Sequence, residues 1–409
     1  MITRLLLTQG VNGENDCCEY LCTTSLLLNA MASLMHAFLV LICANGAGGE
    51  PNVNVIVHSH PWKTENSVSP GFVGLSIEFY NAHSMLKAPG MPQCLRNFYD
   101  LTSGDHEGPN LRIGGDSSDS SCWASETSLP QSNGRCDCSY NISSGDIDLY
   151  QSFHAKSPNV TFVLGTNFAC SPTPTNVSID FVRALSVSGM IDNGIVRALE
   201  VGNEIDKFPG RHRCVAPRMN TVTVCNAVLH CDSAQGWSAE QYASEFGAYA
   251  QAYEDAGLPP HKLQGAVFCN HNATFDASLP RYVQTYQRFI ASISYHAYSL
   301  HGGSKPLLPP QFPLPSDTSS AFYHLQALLS EAATSGFARQ YGGLSALPVP
   351  LVIGEGNTES GGGFANVSNT FASALWALDW LAAVSQQGAV AENLHGGRDE
   401  CVRVCLGVR

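Results

Sequence analysis

From Gly71 onward, short apolar runs alternate with longer amphipathic ones, and the alternation repeats eight times. No other feature constrains the fold as tightly. The short runs are FVGLSIEF (72–79), LRIG (111–114), VTFVLGTNF (160–168), IVRALEVGNE (195–204), LQGAVFCN (263–270), ISYHAY (293–298), PLVIGE (350–355) and GAVAENLHGG (388–397). Aliphatic and β-branched runs of this length read as strands covered on both faces. Helical spacing or punctuation marks 81–99, 177–189, 238–257, 281–291, 318–335 and 371–388. The third of these opens on Ser238 and closes at Gly257, as helix ends do. Residues 116–150 form a long polar stretch rich in Ser, Cys and Asp. Eight such units predict an α/β chain whose parallel sheet closes as a (β/α)8 TIM barrel. An open doubly wound sheet would want a GxGxxG turn after its first strand. FVGLSIEF offers none.

In a barrel, polar residues that end the strands face the active rim. Here they are Glu78, Asp116 with Asp119, Asn167, Asn203 with Glu204, His296 with Tyr298, and Glu355. Taken singly, each is also readable as a helix cap or a satisfied buried polar group, the better reading for Asp119. Glu204 and Glu355 resist it, because an acid closing an apolar run is costly unless it faces a polar cleft. Glu355 sits in LVIGEGNTESGGG (351–363), followed by three glycines that let backbone approach a ligand or turn tightly. Two carboxylates across a barrel mouth are what glycosidic cleavage needs: one protonates the departing oxygen, the other attacks or activates water. Asn203 is placed to donate to a sugar 2-hydroxyl, and Tyr298 to hold the nucleophile by a hydrogen bond. The chain has no HExxH, no P-loop and no clustered His/Asp triad, so neither metal nor cofactor chemistry is expected.

The formal net charge of the 409-residue chain is −13, from 21 Lys and Arg against 34 Asp and Glu. That long-range field disfavours nucleic acid and highly sulfated polyanions. Only 13% of residues are charged, which suits an extracellular surface solubilised partly by glycans. Residues 25–43 are largely apolar and lead into ANGAGG, resembling a signal-peptidase site near 44–47. Met31 or Met35 would be the natural start. Cleavage and secretion are favoured; a membrane anchor through 25–43 is the alternative. Sequons at Asn141, Asn159, Asn176, Asn272 and Asn366 agree with secretion. So do 15 cysteines, 11 of them after the signal, so that at least one is unpaired; Cys136 with Cys138, and Cys214, Cys225 and Cys231, match no zinc spacing and read as loop disulfides.

SIE (76–78), LRIGG with SSD (111–119), VGNE (201–204), YHAY (295–298) and GEGNTESGGG (354–363) together resemble glycoside hydrolase family 79, the heparanase and β-glucuronidase family of clan A. The resemblance covers about 53–397. It implies a retaining mechanism with Glu204 as acid/base and Glu355 as nucleophile. It also implies a sugar subsite lined by Glu78, Asp116, Asn167, Asn203, Tyr298, Gly361, Gly362, Gly396 and Gly397. The implied activity is an exo-β-glucuronidase releasing glucuronate or its 4-O-methyl form from polysaccharide or glycoconjugate side chains. Another clan A β-glycosidase, such as a glucosidase or xylosidase, and an inactive carbohydrate-binding product remain the alternatives.

Three departures stand out. Ile205 follows the acid where the clan commonly has Pro, and Ser360 stands where heparanase-like members often have Tyr. The family's C-terminal β-sandwich is expected to be largely missing, with no Tyr in the tail to read a uronic carboxylate. The chain therefore divides into an N-terminal extension and signal (1–47), a strand segment that joins the sandwich in the family (48–70), the barrel (71–397) and a divergent tail (398–409). The strand NVNVIVH (52–58) would then lack partners, an exposed apolar edge.

Overall fold

The computed structural model describes residues 38–44, 53–59, 69–87, 110–124, 138–169, 174, 176–208, 237–269, 273–300, 346–360, 363 and 367–396. Two antiparallel strands, β1 (Phe38–Ala44) and β2 (Val53–Ser59), come first and pair along their whole length. Val53–Ser59, expected to lack a partner, pairs here with Phe38–Ala44, which lies within the 1–47 segment read as extension and signal.

The barrel follows. Its strands are β3 (Val73–Glu78), β4 (Asn110–Gly114), β7 (Thr161–Thr166), β8 (Val196–Val201), β9 (Leu263–Cys269), β10 (Ile290–Leu300), β11 (Leu351–Glu359) and β12 (Ala389–His395). They pair in parallel in that order and close when β12 pairs with β3. All eight expected strands are present. Short strands β5 (Ser121–Trp123) and β6 (Tyr140–Ile142) pair outside the barrel, beside a disulfide between Cys122 and Cys138. Cys269 is a buried thiol.

Strand residues alternate between two environments. Leu75, Ile77, Leu111, Ile113, Phe162, Leu164 and Leu199 join the apolar cluster between sheet and helices. Ser76, Arg112, Glu200, Gln264 and Ser292 are buried and polar, and they satisfy one another. Gln264 Nε2 donates to Glu200 Oε2 at 2.6 Å, and Ser292 Oγ donates to Gln264 Oε1 at 2.9 Å. Buried polar groups are tolerated when paired this way.

The helices are α1 (Phe79–Lys87), α2 (Ser144–Lys156), α3 (Asn176–Val187), α4 (Ala239–Asp255), α5 (Ala273–Tyr286) and α6 (Phe371–Gln386). In α4, Ser238 Oγ accepts from Gln241 N, and Tyr242, Phe246, Tyr249 and Tyr253 form its buried stripe. Helix α5 begins eight residues before the 281 expected. Pro280 reads as a helix start, but it lies inside, where Phe275, Leu279, Tyr282 and Val283 hold the helix by burial. Helix α2 replaces the end of the expected polar stretch. The Asp146 carboxylate accepts from Ser143 N and Oγ at its start, and Ile147, Tyr150 and Phe153 are buried. The expected helix at 318–335, the Cys-rich insertion at 209–235 and the tail lie outside the described residues. Among the described residues, no helix is long and apolar enough to cross a membrane.

Candidate active site

Two buried glutamates meet at the C-terminal mouth of the barrel. Glu355 lies within β11, opposite His296 of β10, rather than at its strand's end as expected; β11 runs on to Glu359. Glu204 follows β8 with φ 46° and ψ 49°, a left-handed conformation that costs a residue with a side chain about 1 kcal/mol or more. Gly202 before it, at φ 79°, has no room for a side chain against Phe168 and Ile205. Such strain persists where surroundings enforce it. Here Asn203 N donates to Asp119 Oδ2 at 3.0 Å, and Lys207 N closes the following turn onto Glu204 O at 2.8 Å.

His296 lies between the two acids. Its Nδ1 is 3.0 Å from Glu355 Oε2 and 3.5 Å from Glu204 Oε1. Oxygens of the two carboxylates come within 4.8 Å of each other. Glu355 Oε1 also accepts from Arg112 Nη1 at 3.0 Å and faces His395 Nδ1 at 3.1 Å. Glu204 Oε2 faces Lys207 Nζ at 3.1 Å.

Arg112 organises this cluster from inside the barrel. Its Nε donates to Glu200 Oε1 at 2.9 Å, Nη1 also to Ser76 Oγ at 2.9 Å, and Nη2 to Glu200 and to Asn203 Oδ1, the latter at 3.0 Å. All five guanidinium donors are thus used.

The charges settle accordingly. Burial would raise Glu355, but His395, His296 and Arg112 hold it well below the usual carboxylate range. Burial would also raise Glu204, but nearby His296, with Lys207, brings it down to about 2. Burial would lower His296, yet Glu355 and Glu204 push it up to about 9.

The remaining expected residues divide. Glu78 ends β3, and Ser117 N and Asp116 N donate to its carboxylate at 2.9 and 3.2 Å. Gly115, at φ 75°, leaves the space that this carboxylate fills. Burial raises the Glu78 pKa, against His395, whose Nε2 is 3.9 Å away. Asp116 accepts from Asn203 Nδ2 at 2.9 Å. These three lie beside the pair. Asn167 is drawn into the wall, its amide donating to Ser121 O at 2.9 Å. Asp119 is a satisfied buried acid, accepting from Phe168 N and Asn203 N. Tyr298 is buried on β10, but the hydrogen bond expected from it to Glu355 is replaced by contacts from Arg112, His296 and His395. Gly396 N donates to Ser76 O at 2.8 Å, closing the barrel seam. Gly361, Gly362 and Gly397 lie outside the described residues.

Sequence reasoning missed Arg112, Lys207 and His395. The available signal was a cation inside, or just beyond, an otherwise apolar strand. Two trios, Glu204–His296–Glu355 and Glu78–Glu355–His395, have ligand types and spacing that could hold a metal ion. Both share Glu355, which already receives Arg112.

Fold and site together define a (β/α)8 barrel with a paired-glutamate centre at its C-terminal mouth. Among solved structures, the fold is similar to a 4-O-α-L-rhamnosyl-β-D-glucuronidase from Fusarium oxysporum 12S, with TM-score 0.59 and 19% identity over 83% of this chain and 65% of that one. A family 44 xyloglucanase from Paenibacillus polymyxa has TM-score 0.49 and 11% identity over 83% of this chain and 74% of its own. A monomeric β-xylosidase from Caulobacter crescentus CB15 has 0.46 and 14% over 82% and 62%. The chain therefore spans 65% of the length of the first of these, and at such identities the likeness concerns the fold. No family model and no curated protein sequence matches the chain.

Proposed function

We propose that the chain is a retaining β-glycosidase, acting as an exo-β-glucuronidase that releases glucuronate or 4-O-methylglucuronate from polysaccharide or glycoconjugate side chains. The separation of the carboxylates carries this reading. Their oxygens approach within 4.8 Å. Double displacement uses carboxyl groups about 5–5.5 Å apart, whereas inversion needs about 6.5–9.5 Å to admit a water.

In the first step Glu355, kept ionised, forms a bond to the anomeric carbon as the glycosidic bond breaks. Glu204 delivers a proton to the departing oxygen. An acid held down to about 2 is a poor resting donor, and His296 resolves the difficulty. As Glu355 loses its charge to the new bond, the strongest influence raising His296 disappears. The imidazolium proton passes to Glu204, 3.5 Å away, in the same step in which Glu204 protonates the departing oxygen. In the second step Glu204 takes a proton from water as the water oxygen displaces Glu355 from the anomeric carbon, and that proton returns to His296 once Glu355 regains its charge.

The uronic acid part rests on the family-79-like motifs and on the activity named for the Fusarium protein. One observation favours a neutral sugar instead. Arg112, His296, His395 and Lys207 all face carboxylates of the chain. Comparing aryl β-glucuronide with aryl β-glucoside and β-xyloside separates the readings. The glucuronide is expected to give the highest kcat/KM by at least about tenfold, since leaving a site's polar groups unpaired is costly. Preference for a neutral glycoside would overturn the glucuronidase assignment. We also propose secretion, with glycans on Asn141, Asn159 and Asn176, which are exposed; Asn272 and Asn366 lie outside the described residues. Endoglycosidase treatment of secreted protein should lower its mass.

A further inference from the structure

The two oxygens of Glu204 face opposite ways. Oε1 is turned toward His296 and, beyond it, Glu355; Oε2 meets Lys207 Nζ at 3.1 Å. Glu78 and His395 lie on the Glu355 side. In a retaining site the nucleophile sits under the sugar that is released, and the acid reaches over the oxygen of the departing group. Lys207 therefore lies beyond Glu204, away from the glycone and toward the leaving group.

The position is fixed, not incidental. Glu204 is followed by the turn Ile205–Lys207, where clan A commonly continues with Pro. Ile205 is fully buried, and its carbonyl accepts from Trp237 Nε1 at 2.8 Å. Asp206 Oδ1 accepts from Cys269 N at 2.8 Å, tying the turn to the end of β9. The Lys207 side chain is 36% exposed, with its Nζ against Glu204 and Cys269. A partly exposed lysine on a flexible four-carbon stem is a movable point charge.

We infer that Lys207 is a specificity residue that recognises an anionic group, such as a carboxylate, on the leaving-group side of the scissile bond. This rests on the glycosidase reading. The bland alternative is a structural ion pair with Glu204, which would show no dependence on leaving-group charge. The chain's net charge of −13 argues against long polyanions, but a single carboxylate is read locally. Such an anion also draws Lys207 away from Glu204. The lysine helps keep Glu204 ionised, so its departure lets the acid regain a proton when the substrate needs one. Binding and activation are thereby coupled.

The test compares 3-carboxyumbelliferyl and 4-methylumbelliferyl glycosides of whichever sugar the full chain hydrolyses. Taking the kcat/KM ratio in wild type and in Lys207→Met cancels intrinsic leaving-group reactivity. The ratio is expected to fall about tenfold in Lys207→Met, to be largely kept in Lys207→Arg, and to shrink in wild type with added salt. An unchanged ratio in Lys207→Met, with neutral turnover still measurable, would overturn the inference and leave the glycosidase reading intact. Turnover of neither substrate with any sugar would overturn that reading and the inference with it.

Discussion

Arg112 Nη1 donates to Glu355 Oε1 at 3.0 Å from a guanidinium that is wholly buried. Arg112 is held from behind by Glu200, so its position does not depend on substrate. A preorganised donor of this kind contributes most where charge changes during reaction. Arg112→Lys keeps a charge but loses the fork that reaches Glu200, Ser76, Asn203 and Glu355 together. We expect kcat/KM to drop by about 100-fold or more with the circular dichroism spectrum preserved. Near-normal kcat/KM in a folded variant would contradict the role given to Arg112.

The pH profile should report His296. Activity requires ionised Glu355, which burial would raise and which His395, His296 and Arg112 hold down. Removing His296 removes one of those influences, so the acidic limb of kcat/KM moves to higher pH in His296→Asn. An acidic limb at its wild-type position would mean that His296 does not set the state of Glu355.

Stability should also depend on pH, with a definite sign. Burial raises Asp119 from 3.8 to about 7 and Glu392 from 4.5 to about 8. His296 is raised from 6.5 to about 9 by its carboxylate partners against burial. Groups raised on folding contribute stability that is complete below their unfolded values and lost as pH climbs through the folded ones. The unfolding free energy should therefore fall between about pH 5 and pH 9. Denaturant melts across that range check it, and Glu392→Gln should flatten the part of the decline near pH 8. A curve rising toward pH 9 would contradict these environments.

The Cys122–Cys138 bridge closes a loop of 16 residues over β5 and β6. In the chain-entropy view a loop of that size contributes about 3 kcal/mol. Cys138→Ser should lower the unfolding free energy by a comparable amount without changing KM, measured by urea unfolding and initial rates.

The fold was legible because each barrel strand is an apolar run bounded by polar residues, and eight of them leave few arrangements. Helix α2 was not, since the Ser- and Asp-rich lead-in that caps it hides the buried Ile147, Tyr150 and Phe153. Helix α5 was misplaced because burial of Phe275, Leu279, Tyr282 and Val283 carries the helix through Pro280, a residue common at helix starts. At the site, strand-end acids announced Glu204 and Glu355. Arg112 did not show, because within LRIG it reads as one polar interruption of a strand, although its partners lie on β3, β8 and β11. His395 and Lys207 gain meaning only from closure of the barrel, which brings β12 beside β3 and the turn after β8 beside β9.

The central claim is that Glu355 attacks the sugar. A 2-deoxy-2-fluoro-β-glycosyl fluoride of the preferred sugar should trap the covalent intermediate, and peptide mass spectrometry should find the fluorosugar on the peptide containing Glu355. No label in Glu355→Ala, with label in Glu204→Ala when the fluoride leaves without acid help, completes the prediction. Label on another residue, or a product released with inverted anomeric configuration, would contradict the account.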